Sequence, residues 1–167
     1  MAKEYESRGF KSVFVYTREA HPGEHYPANG SIEQKISHAM AFKQILGIER
    51  PILVDDVVGT GHHMYGTLPN MTYIIARGSG RVLFRADWTD PPTIRNVFDY
   101  ILDCRERRRD GVRLTPFYSE VVGYRWSDQV KQEEALARAG PQAVEDMANA
   151  MKNRGSGPRP GFISLES

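Results

Sequence analysis

The segment Lys11-Ser-Val-Phe-Val-Tyr-Thr17 constrains this chain more than any other. Its β-branched and aromatic residues run almost without interruption, lacking the alternation of a strand with one face in water. Such a strand is buried on both faces, so helices must cover its sheet from either side. Residues 11–103 supply those helices in alternation with further strands. Ser31 and Gln34 have capping-box spacing. Ile32, Ile36, Ala39, Met40 and Leu46 follow as an apolar stripe at helical spacing, stopped by Gly47. Pro51-Ile-Leu-Val54 predicts a short strand ended by Asp55-Asp56, and residues 57–66 a loop or one helical turn. Met71–Ala76 and Arg81–Arg85 predict a hairpin about Gly78-Ser-Gly80. Asp90-Pro-Pro92 opens a helix in which Ile94, Val97, Phe98, Ile101 and Leu102 share one face. Strand, helix, strand, hairpin, helix is the order of an α/β layered domain.

The flanks have a different texture. Residues 2–9 read as the last turns of a helix ending at Gly9. Residues 104–113 are locally basic, and the arginines of 105–109 suit a solvated helix end, where cations complement the macrodipole. Residues 128–139 and 141–152 predict two helices broken at Gly140-Pro141. From Asn153 the chain is rich in Gly, Pro and Ser and reads as a mobile tail. The expected division is therefore a domain over 1–103 and a helical extension with a tail over 104–167.

Charge and cysteine content exclude several function classes. Lys and Arg total 22 against 21 Asp and Glu, too even for a nucleic-acid binder. No apolar run approaches the roughly 18 residues of a membrane span. The first residues lack the apolar core of a signal peptide, so the expected location is cytoplasmic. The single cysteine, Cys104, excludes an intramolecular disulfide, a CxxC pair and a Cys-rich zinc site. Its place on the apolar stripe of its helix marks it as a packing residue rather than a nucleophile.

The polar residues at strand ends carry the candidate chemistry. Glu19-Ala-His-Pro22 lies where the first strand runs out, and ligands gather at the carboxyl ends of strands in open α/β sheets. A Glu and a His two residues apart there supply a proton donor and acceptor near neutral pH. Asp55-Asp56 and His62-His63 suggest a metal site at first sight. Adjacent histidines diverge, however, and no HExxH-type spacing is present, so carboxylate caps and a solvated histidine pair are expected and no metal. The loops 18–30, 57–69 and 86–92 are expected to make ligand contact, with Asp56, His62, Pro69 and Trp88 as the substrate-binding candidates. Pro69, directly before the strand 71–76, is a candidate for a cis bond that shapes a site. Trp126 reads as a core or interface anchor.

Together these pieces resemble the thioredoxin fold. Val15-Tyr-Thr-Arg-Glu-Ala-His-Pro22, Val54-Asp-Asp56, Tyr65-Gly66 with Leu68-Pro69, and Ser31-Ile-Glu-Gln34 look like the iodothyronine deiodinase-like family of that superfamily. The resemblance covers roughly residues 2–103. It implies thiol or selenol reductive chemistry without a cofactor, acting on a small-molecule or thiol substrate. Tyr16, Glu19 and His21 correspond to the family's site residues, and Pro69 to its cis-proline. The family's fold begins with a strand and a helix bearing the reactive selenocysteine or cysteine, and this chain starts near the end of that helix. The expected fold is thus a thioredoxin-like layered sheet without its first strand–helix unit. Asn29 stands where a histidine is often found. The absent strand would lie between strands 11–17 and 71–76, and its loss leaves open edges. Three repairs are conceivable: a start upstream, a replacement strand from residues 112–124, or direct pairing of the two strands, within this chain or in a homodimer.

Overall fold

A computed structural model describes residues 1–66, 68, 70–124 and 128–153. The chain is mixed α/β and divides into two compact units, 1–18 with 29–126 and 19–28 with 127–167. The expected boundary at 103/104 is not where this division falls. Ten residues of the first loop belong with the C-terminal helices instead.

The first unit holds two separate two-stranded sheets. β1 (Phe14–Tyr16) pairs in parallel with β2 (Ile52–Val54), matching Phe14 to Ile52 and Tyr16 to Val54. β3 (Thr72–Ile75) pairs antiparallel with β4 (Val82–Ala86), with a register shift between Ile74 and Ile75. Gly78 and Gly80 close that hairpin at positive φ of 92° and 68°, which glycine adopts at no steric cost. No hydrogen-bonded ladder joins β1 to β3 among the described residues, so of the three repairs the direct pairing of these strands within the chain is not seen there. Residues 112–124 form no strand, and Phe117, Tyr118, Val121 and Val122 stand exposed, so they do not supply the replacement.

The core lies on the β3–β4 side. Helix α1 (Ala2–Glu6) has only five residues, too few to persist unaided. It is held because Tyr5, 1% exposed, packs with Phe10 and Ile74. Helix α4 (Pro91–Arg109) starts at Asp90, whose carboxylate accepts from the Thr93 N–H at 3.0 Å. Its apolar stripe serves as the sequence predicts. Ile94 is buried, and Val97, Phe98, Ile101 and Leu102 cover the Tyr5–Phe10–Ile74 cluster. Phe10 and Phe98 approach to 4.2 Å between ring centroids. The arginines at the end of α4 are exposed. Arg107 pairs with Asp103 one turn earlier at 2.7 Å.

The β1–β2 side is covered differently. Helix α2 (Ile32–Ile45) begins at Ser31, whose hydroxyl accepts from the Gln34 N–H, while the Gln34 side chain accepts from the Gly30 N–H. The Ser31 half of the capping box is therefore present, while Gln34 reaches the N–H one residue before the cap. The buried face, however, is not the predicted stripe. Ala39 is buried as expected, but Lys35 is the residue buried with it and Phe42 is half-buried, while Ile32, Ile36, Met40 and Leu46 are exposed. Phe42 sets the rotation by meeting Phe14 and Tyr16 at 6.2 and 5.9 Å. The expectation of a strand buried on both faces also fails. Val13 and Val15 are each about half exposed, because α2 covers one face of β1 and β1 has a single strand partner.

The second unit is built on helices α5 (Gln129–Ala139) and α6 (Pro141–Asn153), separated at Gly140 as the sequence predicts. Residues 19–28 pack with them. Trp126 and the tail from 154 lie outside the described residues.

Candidate functional site

The sequence candidates fall in two groups that the fold treats separately. Tyr16 ends β1 in the first unit, and the Asp55 N–H donates to its carbonyl at 3.0 Å. Glu19 and His21, both half-buried, belong to the second unit.

The Asp55–His63 segment is organised by its carboxylates. A chain leaving β2 must turn into helix α3 (Thr60–Tyr65), and a helix start leaves N–H groups unpaired. Asp55 accepts from the Gly61 N–H at 2.9 Å and the His62 N–H at 2.8 Å. Asp56 accepts from the Gly59 N–H at 2.6 Å and the Thr60 N–H at 2.9 Å. Burial pushes the Asp55 carboxyl upward, but the N–H donors of His62, Gly61 and Asp56 outweigh it and leave the group below the usual carboxylate range. Hydrogen bonds from the Thr60 hydroxyl and N–H likewise lower Asp56. A Cβ at Gly61 would stand 2.9 Å from Asp55 Oδ1, so a larger residue there would push the capping carboxylate aside. These are the caps expected from the sequence.

The expected solvated histidine pair holds only for His63, because His62 is buried and its Nε2 donates to the Leu68 carbonyl oxygen at 3.2 Å. His63 is exposed, with its ring stacked at 6.1 Å from that of His62. No group of three metal-ligating side chains occurs among the described residues. Trp88 is exposed to 41%. Pro69 lies outside the described residues, and so does the expected cis bond.

Sequence reasoning missed Lys35. Its side chain is 1% exposed, and Nζ donates to the Asp56 carbonyl at 2.5 Å. A lysine one position from the end of a capping box reads as a solvated residue, and only the rotation of α2 reveals its role. It ties the helix to the β2–α3 turn that carries Asp55 and Asp56.

Cys104 lies on α4 and is half-buried. The Tyr100 hydroxyl is raised chiefly by its hydrogen bond with this thiol, so the cysteine packs one helical turn from a phenol. Near it, Arg8, Arg105, Arg108 and Arg109 line an open depression of about 480 Å³ with Leu102. Arg105 lies 4.8 Å over the Phe10 ring and Arg8 pairs with Asp99 at 3.2 Å.

No family model, no curated protein and no solved structure matches this chain. No helix among the described residues is long and apolar enough to cross a membrane.

Proposed function

We propose that this chain is the larger part of a thioredoxin-like, deiodinase-type oxidoreductase domain. Its Glu19 and His21 serve a thiol or selenol borne on a further strand–helix unit. The single observation that carries this reading is the split sheet. Among the described residues a parallel pair and an antiparallel pair have no ladder between β1 and β3, which supports a five-stranded thioredoxin-like sheet whose central strand comes from elsewhere. The exposed Val13 just before β1, Val15 on β1, and Ile36 and Met40 on α2 support it as surfaces that such a unit would cover.

In this reading an imidazolium at His21 favours the thiolate form of the nucleophile. Substrate reduction takes two electrons from thiols, which become a disulfide, and the protons pass by way of Glu19 and His21.

The test is the intact mass of the protein as its native cell makes it, followed by a thiol-oxidation assay on that material. A mass well above 18.9 kDa with a Cys- or selenocysteine-bearing extension, and activity reduced by Glu19→Gln and by His21→Ala, is expected. A mass of 18.9 kDa without thiol activity overturns it. A second reading, a non-redox binding protein on a degenerate fold, is favoured by the placement of the sole cysteine in a packing position on α4. That reading predicts ligand binding with no redox turnover.

A further inference from the structure

The second unit joins two distant stretches of chain through unpaired helix ends. Where α5 stops, its last carbonyls lack partners. The Ala139 carbonyl accepts from the His25 N–H at 3.2 Å. Where α6 starts, Pro141 has no N–H to satisfy, so Gln142 carries the first orphan donor. Gly140 occupies the capping position and has no side chain to accept it. The Glu24 carboxylate does so instead, both oxygens lying 3.2 Å from the Gln142 N–H. One dipeptide, Glu24-His25, thus satisfies both helix ends at the α5–α6 elbow. Glu24 and Gln142 are 118 residues apart in sequence.

The fit has no slack. A Cβ on Gly140 would collide with Glu24 Oε2, and Gly140 has φ +119°, a conformation that L side chains rarely adopt. A Cβ on Gly23 would collide with the Ala139 carbonyl oxygen. Ala143, on the first turn of α6, is 0% exposed and lies 3.3 Å from where that Cβ would stand. The Gly23 N–H donates to the Tyr26 carbonyl at 3.1 Å and closes the loop on itself.

From this geometry we infer that the α5–α6 elbow is the positioning device for the loop bearing Glu19 and His21, with Glu24 as the positioning residue that engages it. The catalytic meaning of that loop rests on the function proposed above, while the latch itself does not. A helical extension otherwise without a role then has one. It fixes the backbone from residue 23 to residue 25, immediately beyond the two proton-handling side chains, so that they are held before substrate arrives.

The experiment is performed on the purified chain. His21 is modified with diethyl pyrocarbonate and quantified by mass spectrometry against exposed His63, while hydrogen exchange is followed at the His25 amide. Gly140→Ala and Glu24→Ala are each expected to raise both rates about fivefold, the size of one lost helix cap. Glu24→Gln retains one acceptor oxygen and is expected to return both rates close to those of the unaltered chain. If Glu24→Ala speeds exchange at His25 but leaves His21 modification unchanged, the positioning role is overturned. If neither rate moves, the latch itself is overturned. Should Gly140→Ala unfold α5 and α6, the Glu24 pair still decides the matter, since Glu24 is exposed and its replacement leaves no buried void. None of these readouts involves catalysis, so a failed thiol assay leaves them standing.

Discussion

The two halves of the split sheet are held in opposite ways. The β3–β4 hairpin meets α1 and α4 through a contiguous aromatic cluster of Tyr5, Phe10 and Phe98, with centroid separations of 4.2 to 6.1 Å. The β1–β2 pair has one aromatic anchor, Phe42, and leaves Val15 and Leu53 more than half exposed. Where apolar side chains find a second layer, packing fixes the structure. Where they do not, polar ties such as Lys35 to Asp56 carry the fixing. Similar strand sequences therefore acquire different stability from what happens to cover them.

The largest expected effect lies in the first half. Phe10→Ala removes a buried ring in contact with two others and should destabilise by about 3–5 kcal/mol in chemical denaturation. A loss below about 1 kcal/mol would erase the contrast between the halves.

A smaller effect is expected at the β2–α3 turn. Asp55→Ala removes the acceptor of the Gly61 and His62 N–H groups and should cost about 0.5–2 kcal/mol. The pH dependence follows from the lowered carboxyls of Asp55 and Asp56. The unfolded chain binds their protons more readily, so stability rises with pH across this window. Their contribution is fully present above the ordinary value of 3.8 and is lost as pH falls through the lower folded values. Asp55→Ala should flatten the acid limb of a stability–pH curve, and an unchanged limb would place the acid sensitivity elsewhere.

The smallest effect is expected on the uncovered face. Val15→Thr and Met40→Gln should each change stability by no more than about 0.5 kcal/mol, while reducing the binding of an apolar dye. A destabilisation comparable to that of Phe10→Ala would show that this face is covered in solution.

Local signals in the sequence were legible where local chemistry decides. Ser31 with Gln34, Asp90 with its two prolines, and the Gly140-Pro141 break all stand where their residue types require. The α4 stripe was legible too, because the whole stripe meets one surface. The α2 stripe misled, since its orientation depends on Phe42 reaching two rings of β1 and on Lys35 reaching a carbonyl 21 residues away. Burial of the 11–17 run misled for a related reason, as periodicity reports what a strand can bury and not whether a layer is present to bury it. Glu19 and His21 were legible as a polar cluster. The anchorage of the Glu24-His25 stretch just beyond them was not, because it is made to backbone groups of α5 and α6, which no side-chain pattern encodes.

The separation between Glu24 and Gln142 also sets an order of events during synthesis. At about 5–20 residues per second, advancing the 118 positions from Glu24 to Gln142 takes roughly 6 to 24 s. During that interval the Glu19–Ala28 loop has left the ribosome without its helices. The strands on either side of it, and the hairpin that follows, can pair while the loop is still free. The loop that carries the acid and the histidine therefore completes its contacts after the first unit is made, and a chain ending between residues 127 and 138 would hold the full sequence of its first unit while Glu24 has nothing to hold.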